Sequence, residues 1–326
     1  MSVVAVGACY LDTILTTSYY PAEDEKLRAS SIVRRRGGNC PNTLEVLQQL
    51  VAHPSTEKKL SMNLVTILPA KESLVSQQIR SVFEPHVRLD HCIYREEFQE
   101  PASSYIIKSQ STGSRTIVNY NELPEMTVEE FTQIADKLGP QATWFHFEGR
   151  VPDVTLGCIQ YLRKQFPSVR VSIEAEKPGR PGLQELADAA DVVFISKSWA
   201  VRTAYPNKRI DYPGGSPASR ISDHWLTNLE FRSLVCCTWG AKGAGVYDGR
   251  SMGDIAVIPA YKKPHSEVVD PIGAGDTFIA GMLYALNCRD KIWSIAESVE
   301  FSTRVAGMKV FQEGFSGLDQ VLSSLS

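Results

Sequence analysis

No stretch of this 326-residue chain approaches the roughly 18–20 consecutive apolar residues that a membrane-spanning helix requires. The opening residues, MSVVAVGACYLD, also lack the basic start of a secretory signal, so a cytoplasmic protein is expected. There is no excess of basic charge: 34 Lys and Arg stand against 37 Asp and Glu, for a formal net charge of −3. Neither nucleic acid nor an anionic membrane surface is therefore an expected partner. The seven cysteines are odd in number and form no C-x-x-C pair, which argues against a disulfide framework and against zinc. They read as reduced thiols packed as small hydrophobes, with Cys40, beside a possible helix start, the most polarised. The first apolar run is followed by Gly7-Ala8-Cys9-Tyr10-Leu11-Asp12 and not by G-x-G-x-x-G, which speaks against a dinucleotide-dependent oxidoreductase. Internal repeats and low-complexity linkers are missing too.

What remains is a globular composition, 43% hydrophobic and 22% charged, long enough to bury a substantial core. Short β-rich runs at 3–7, 64–68, 144–148, 171–174, 192–195 and 234–238 alternate with helical periods at 42–50, 72–82, 127–138, 155–166, 184–190 and 198–205. That alternation predicts an α/β fold with a mostly parallel sheet covered on both faces. Thr127 and Glu130 supply a capping box for the third helix. Two strand-rich excursions, about 13–36 and 102–120, break the rhythm and suggest one small sheet standing over the main one as a lid. Exposed sheet edges invite pairing, so a homodimer through that lid is expected. Residues 206–220 read as a surface loop, and the organisation is taken as one domain over 1–326 carrying the lid.

The most informative stretch is Asp270-Pro271-Ile272-Gly273-Ala274-Gly275-Asp276-Thr277-Phe278. A strand ending at Pro271, a glycine-rich turn and a helix beginning near Gly275 would converge several unpaired amides at the positive end of a helix dipole. Glycines at 273 and 275 would let the backbone approach a phosphoryl group closely. Asp276, in the first helical turn, would then face the bound anion and could take a proton from an attacking hydroxyl. No lysine follows the glycines, so this is not a Walker A loop.

The complete D-P-x-G-A-G-D-T-F string resembles the C-terminal signature of the ribokinase-like (PfkB-type) carbohydrate kinases. Arg36-Gly37-Gly38-Asn39-x-x-Asn42 is similar to that family's N-terminal sugar signature, and Thr238-Trp239-Gly240-Ala241-Lys242-Gly243 to its nucleotide turn. Segments such as Gly113-Ser114-Arg115-Thr116-Ile117 and Phe145-His146-Phe147-Glu148-Gly149-Arg150 bring the likeness closest to the fructose-phosphorylating branch. The resemblance implies a ribokinase-like three-layer fold with a small β-sheet lid. It also implies ATP and Mg²⁺ as cofactors, leaves K⁺ open as an activator, and makes a small sugar the substrate, a ketohexose such as fructose first among candidates.

By the same resemblance Asp276 is the base, and the amides around Gly273, Ala274 and Gly275 form the anion hole. Arg115 closes over the phosphoryl group, and Asp12, Gly38, Asn39 and Asn42 orient the sugar. Thr238, Gly240 and Gly243 lie beneath the nucleotide, and Asp24 resembles an acidic residue that reaches a neighbouring subunit's sugar. Asp12 by position alone is a loop aspartate at the end of the first strand. Trp239 could pack on the nucleotide or be core. Ser196-Lys197-Ser198-Trp199 stands where many family members carry N-x-x-E, so no Mg²⁺ ligand is assigned; Glu174 and Glu176 are the nearest acidic candidates, although Glu176-Lys177 also reads as a local ion pair. Kinases of ribose, adenosine or 2-keto-3-deoxygluconate, and a non-catalytic sugar sensor on the same fold, remain as alternatives.

Overall fold

The structure, a computed structural model, describes residues 1–56, 58–83, 85–204, 233–250, 254–288 and 293–323. The loop expected at 206–220 lies outside the described residues.

The strands are β1 (Ser2–Val6), β2 (Tyr10–Thr17), β3 (Ser31–Gly37), β4 (Ser61–Val65), β5 (Ile67–Pro69), β6 (Val87–Arg88), β7 (Ile93–Arg95), β8 (Ser103–Ser109), β9 (Arg115–Tyr120), β10 (Trp144–Glu148), β11 (Arg170–Ala175), β12 (Val192–Ser196), β13 (Leu234–Thr238), β14 (Ala244–Asp248) and β15 (Asp254–Ile258). Helices follow as α1 (Asn39–Ala52), α2 (Leu74–Phe83), α3 (Val128–Leu138), α4 (Pro152–Gln165), α5 (Leu183–Ala189), α6 (Lys197–Ala204), α7 (Ala274–Cys288), α8 (Ile295–Val310) and α9 (Gln320–Ser323).

Nine strands form the main sheet in the order β15-β14-β13-β12-β11-β10-β1-β4-β6, parallel from β13 to β6 and antiparallel at β14 and β15. The buried runs VVAV, WFHF and VVFI of β1, β10 and β12 are apolar but for the buried His146, because helices cover both faces. One face packs Leu44 and Leu47 of α1, Phe83 of α2 and Phe278 and Tyr284 of α7. The other packs Phe131 of α3 and Ile159 and Leu162 of α4 against Phe145, Phe147 and Ile173. The result is the expected three-layer α/β architecture. Helix α3 begins with the predicted box, Thr127 accepting from the Glu130 amide and Glu130 from the Thr127 amide.

A separate four-stranded sheet, β3-β2-β8-β9, is assembled from the two excursions. Its central strands β2 and β8 run parallel, pairing Asp12 with Ser104 and Ile14 with Ile106, while β3 and β9 flank them antiparallel.

Three details differ from the sequence reading. Asp12 is not a loop residue after the first strand but the third residue of β2, inside the small sheet. No strand leads into the glycine turn: β15 ends at Ile258, and the residues from 259 to Pro271 are irregular. The β14–β15 hairpin and α8 were not anticipated. Cys40 agrees with the reading of a packed, reduced thiol: it is fully buried with its thiol on the Val6 carbonyl, and burial pushes its pKa well up, which keeps it protonated and inert.

Candidate active site

A cleft of about 670 Å³ opens between the small sheet and the C-terminal ends of the main-sheet strands. The order of the main sheet puts its change of direction between β1 and β10, with α1 covering one face and α4 the other, and open α/β sheets bind ligands at such a point. Asp12, Ser104, Arg115 and Asn119 enter the cleft from the small sheet; Gly273, Ala274, Gly275 and Asp276 enter it from the start of α7.

Helix α7 starts at Ala274, preceded by Gly273 at φ +80°. A side chain at 273 would collide with the Phe315 ring and would be strained at that φ, so glycine is required there. At Gly275 an added Cβ meets nothing within 4 Å, because that position faces the open cleft. The Thr277 amide and hydroxyl are both spent on the Gly273 carbonyl, at 2.9 and 2.8 Å, and the Ala274 amide leans on Pro271 O at 3.3 Å. Helix geometry leaves the Gly275 and Asp276 amides without an acceptor, and the Gly273 amide is likewise unpaired among the described residues.

The turn rests on an ion triad that sequence reasoning missed. Lys309 of α8, with no solvent exposure, donates to the Asp270 carbonyl at 2.9 Å and to its carboxylate at 3.0 Å. Asp270 in turn accepts from the Ile272 amide at 3.0 Å, and Arg35 of β3 reaches the same carboxylate at 3.2 Å. Burial opposes charge on Asp270, yet Lys309, the Ile272 amide and Arg35 outweigh it and hold the carboxyl below its ordinary range. The available signal was a lysine set among apolar residues in Val305-Ala306-Gly307-Met308-Lys309-Val310.

Asp276 is buried, and burial pushes its carboxyl up to about 7; Asn42 lowers it, Glu176 and Glu148 raise it, and Arg36 lowers it. Asn42 Nδ2 donates to Asp276 Oδ2 at 2.6 Å, and the Thr43 hydroxyl donates to the Asp276 carbonyl at 3.2 Å. Glu174 lies alongside, its carboxyl pushed well up by burial and by Asp276, Glu176 and Glu148. The Asn39 amide bridges Glu174 and Glu176 at 3.1 Å each, so Glu176 takes its hydrogen bond from Asn39. Burial also raises Asp12, against the pull of Ser104, Arg35, Arg36 and Arg115.

The remaining expected residues fall in three positions. Gly38 caps α1 at φ +104°, where a Cβ would strike the Ala8 carbonyl, and it lines the cleft beside Asn39 and Asn42. Thr238 lines the cleft, whereas Gly240 and Gly243 shape the adjoining turn, with Trp239 N bonded to Gly243 O at 2.7 Å. Gly243 is fixed by its φ of +95° and the nearby Ile258 carbonyl. Asp24 is exposed in a turn at φ +61° and is not brought to the cleft. Trp239 is core. In place of N-x-x-E, Ser196 caps α6 through the Trp199 amide and donates to the Glu176 carbonyl at 2.6 Å. No group of three or more His, Cys, Asp or Glu among the described residues has metal-binding geometry.

A glycine turn with free amides at a helix start, a buried carboxylate beside it and a polar roof make an arrangement able to hold an anion next to a hydroxyl. The chain matches the pfkB family of carbohydrate kinases over residues 1–320 and belongs to that family. It is 29% identical to ketohexokinase from Mus musculus, over 97% of this chain and 98% of that protein. The fold is similar to ribokinase from Giardia lamblia, with a TM-score of 0.76 at 17% identity over 100% and 99% of the two chains. It is also similar to ribokinase from Cryptococcus neoformans in complex with ADP, with a TM-score of 0.70 at 16% identity over 99% of each.

Proposed function

We propose that this carbohydrate kinase transfers the γ-phosphoryl group of ATP to a primary hydroxyl of a ketohexose such as fructose. The observation that carries the reading is Asp276, buried at the open end of α7 and facing the same cleft as Asp12. The hydroxyl proton passes to the Asp276 carboxylate as the sugar oxygen bonds to the γ-phosphorus. The bond to the β,γ-bridging oxygen breaks and ADP leaves with that electron pair. The Gly275 and Asp276 amides hold the transferring group, with Gly273 and Ala274 shaping the turn, and Arg115 offsets its charge from the roof. Asp12, Gly38, Asn39 and Asn42 orient the sugar hydroxyls, and Thr238, Gly240 and Gly243 support the nucleotide. A carboxyl pushed up to about 7 is a better proton acceptor than an ordinary aspartate and is still ionised for much of the time near neutrality.

Mg²⁺ fits beside Glu174 and Glu176: the two carboxylates are bridged by Asn39 at the cleft, and a cation would relieve their mutual repulsion. Bound Mg²⁺ would supply charge neutralisation on the phosphates, and Glu174 and Glu176 would help to hold it through water. No residue is assigned to K⁺. Residues 1–326 are taken as one kinase domain and the small sheet as its lid, which excludes water that would compete with the sugar for ATP. The outer face of that sheet exposes Ile32, Tyr105, Val118 and Tyr120, and a homodimer formed there would cover them and carry Asp24 toward its partner.

A coupled ADP assay over fructose, ribose and adenosine, with NMR of the product, tests substrate and regiochemistry together. Fructose 1-phosphate is the expected product. Turnover of ribose or adenosine in preference to fructose would reassign the substrate, and a folded protein inert on all three would favour the sensor.

A further inference from the structure

Asp276 sits in a setting that favours its protonated, inactive form. Glu148 from β10, Glu174 from β11 and Glu176 just beyond it disfavour a further negative charge; Lys309 of α8 and Arg36 of β3 support one. A base needs its proton off before the sugar arrives, so the orientation of its hydrogen-bonding neighbour matters. That neighbour, Asn42, is held at both ends: its Oδ1 accepts from Arg36 Nη1 at 2.7 Å and its Nδ2 donates to Asp276 Oδ2 at 2.6 Å.

A guanidinium can only donate, so it can be satisfied by the oxygen of the amide and never by its nitrogen. Rotating the Asn42 amide by half a turn would set N–H against N–H at Arg36 and oxygen against oxygen at Asp276, unless Asp276 carried a proton. Arg36 itself has little freedom to move: it is buried, paired with Glu45 and stacked over the Phe83 ring at 5.2 Å.

We propose that Arg36 is a positioning residue for phosphoryl transfer: by claiming the carbonyl oxygen of Asn42 it turns that amide's NH₂ onto Asp276 and so selects the deprotonated carboxylate. The proposal rests on the kinase reading for its chemistry. It also refines the role of Asn42, which keeps one N–H for a sugar hydroxyl and spends the other on the base. Arg36 touches neither substrate nor reacting atoms.

The test is the pH profile of kcat/KM for fructose in Arg36→Met, which keeps an apolar stem over Phe83 but no donor, in Arg36→Lys, and in Asn42→Ala. The acid limb is expected to move up by about one pH unit in Arg36→Met and Asn42→Ala, with activity recovering at high pH, and to lie nearer wild type in Arg36→Lys. The double variant Arg36→Met/Asn42→Ala should shift no further than Asn42→Ala alone, because both act through one amide. An acid limb left in place in Arg36→Met, or a loss of kcat independent of pH, overturns the proposal. Neutron diffraction from crystals grown of the wild-type protein gives an answer that does not depend on any variant folding or on activity. Deuterium on the Asn42 atom facing Asp276 supports the assignment, and deuterium on the atom facing Arg36 refutes it. A wild-type profile without an acid limb would count against Asp276 as the base, leaving the neutron map to decide the amide.

Discussion

At the scale of single residues, burying a carboxylate such as Asp276 costs the fold something. The Asp276 pKa is raised above its unfolded value of about 3.9, so the folded chain binds that proton more tightly than the unfolded chain does. Its contribution to stability is therefore fully present below about pH 4 and is lost as pH rises through about 7. Asp276→Asn, which still accepts from Asn42, is expected to melt a few degrees higher than wild type at pH 8 and level with it near pH 4, in thermal scans of the apo protein. The same substitution should lower kcat by about 10²–10⁴-fold while leaving ADP affinity intact by calorimetry. Lys309 is the opposite case, a buried charge whose partner would be stranded without it. Lys309→Met is expected to cost about 3–5 kcal/mol in urea unfolding, because Asp270 would keep its charge with only Arg35 to answer it. Asp276 was legible in the sequence because its chemistry is local: glycines, a helix start and a carboxylate within four residues. Lys309, 39 residues from Asp270, was not, because its partner is chosen by tertiary packing; Arg36 stood in the sequence signature, but its bond to Asn42 depends on how β3 meets α1.

Elements place those residues, and here the limits of sequence reading are physical. Strands β1, β10, β12 and β13 could be read because a parallel strand covered on both faces is a continuous apolar run. The start of α3 could be read because its cap is written within four residues. Asp12 was misplaced because β2 is only half buried, its alternation is irregular, and its partners come from β3 and β8, about 20 and 90 residues away. The coil before the anion turn was misread as a strand because Val268 and Val269 have β-branched side chains, although both are exposed. Arg115 opens β9, every residue of which is exposed, so its removal touches no packing. Arg115→Ala is accordingly expected to leave the melting temperature unchanged and to lower kcat/KM by about 10–100-fold, through loss of one charge-assisted contact to the transferring group. An unchanged kcat/KM would place Arg115 outside the reaction.

On the scale of the whole molecule, the small sheet has two jobs to reconcile. Its inner face roofs the cleft with Asp12, Ser104 and Asn119, and Arg35 ties its edge strand to Asp270 at the base of the anion turn. Its outer face leaves aromatic and β-branched side chains in water. Sedimentation should find a dimer that Tyr105→Glu combined with Val118→Lys converts to a monomer; a wild-type monomer at micromolar concentration would remove the proposed pairing. The three-layer arrangement follows from the alternation of runs and periods, whereas the closeness of sheet, roof and turn depends on contacts across the whole chain. That closeness is what the kinase reading needs. The most direct measurement is a crystal structure of the complete chain with fructose and a nonhydrolysable ATP analogue. The γ-phosphorus is expected over the Gly275 and Asp276 amides, with a primary hydroxyl of the sugar in hydrogen-bonding reach of the Asp276 carboxylate. A sugar whose hydroxyls all lie beyond that reach, or a nucleotide whose last phosphate sits away from the start of α7, would contradict that expectation.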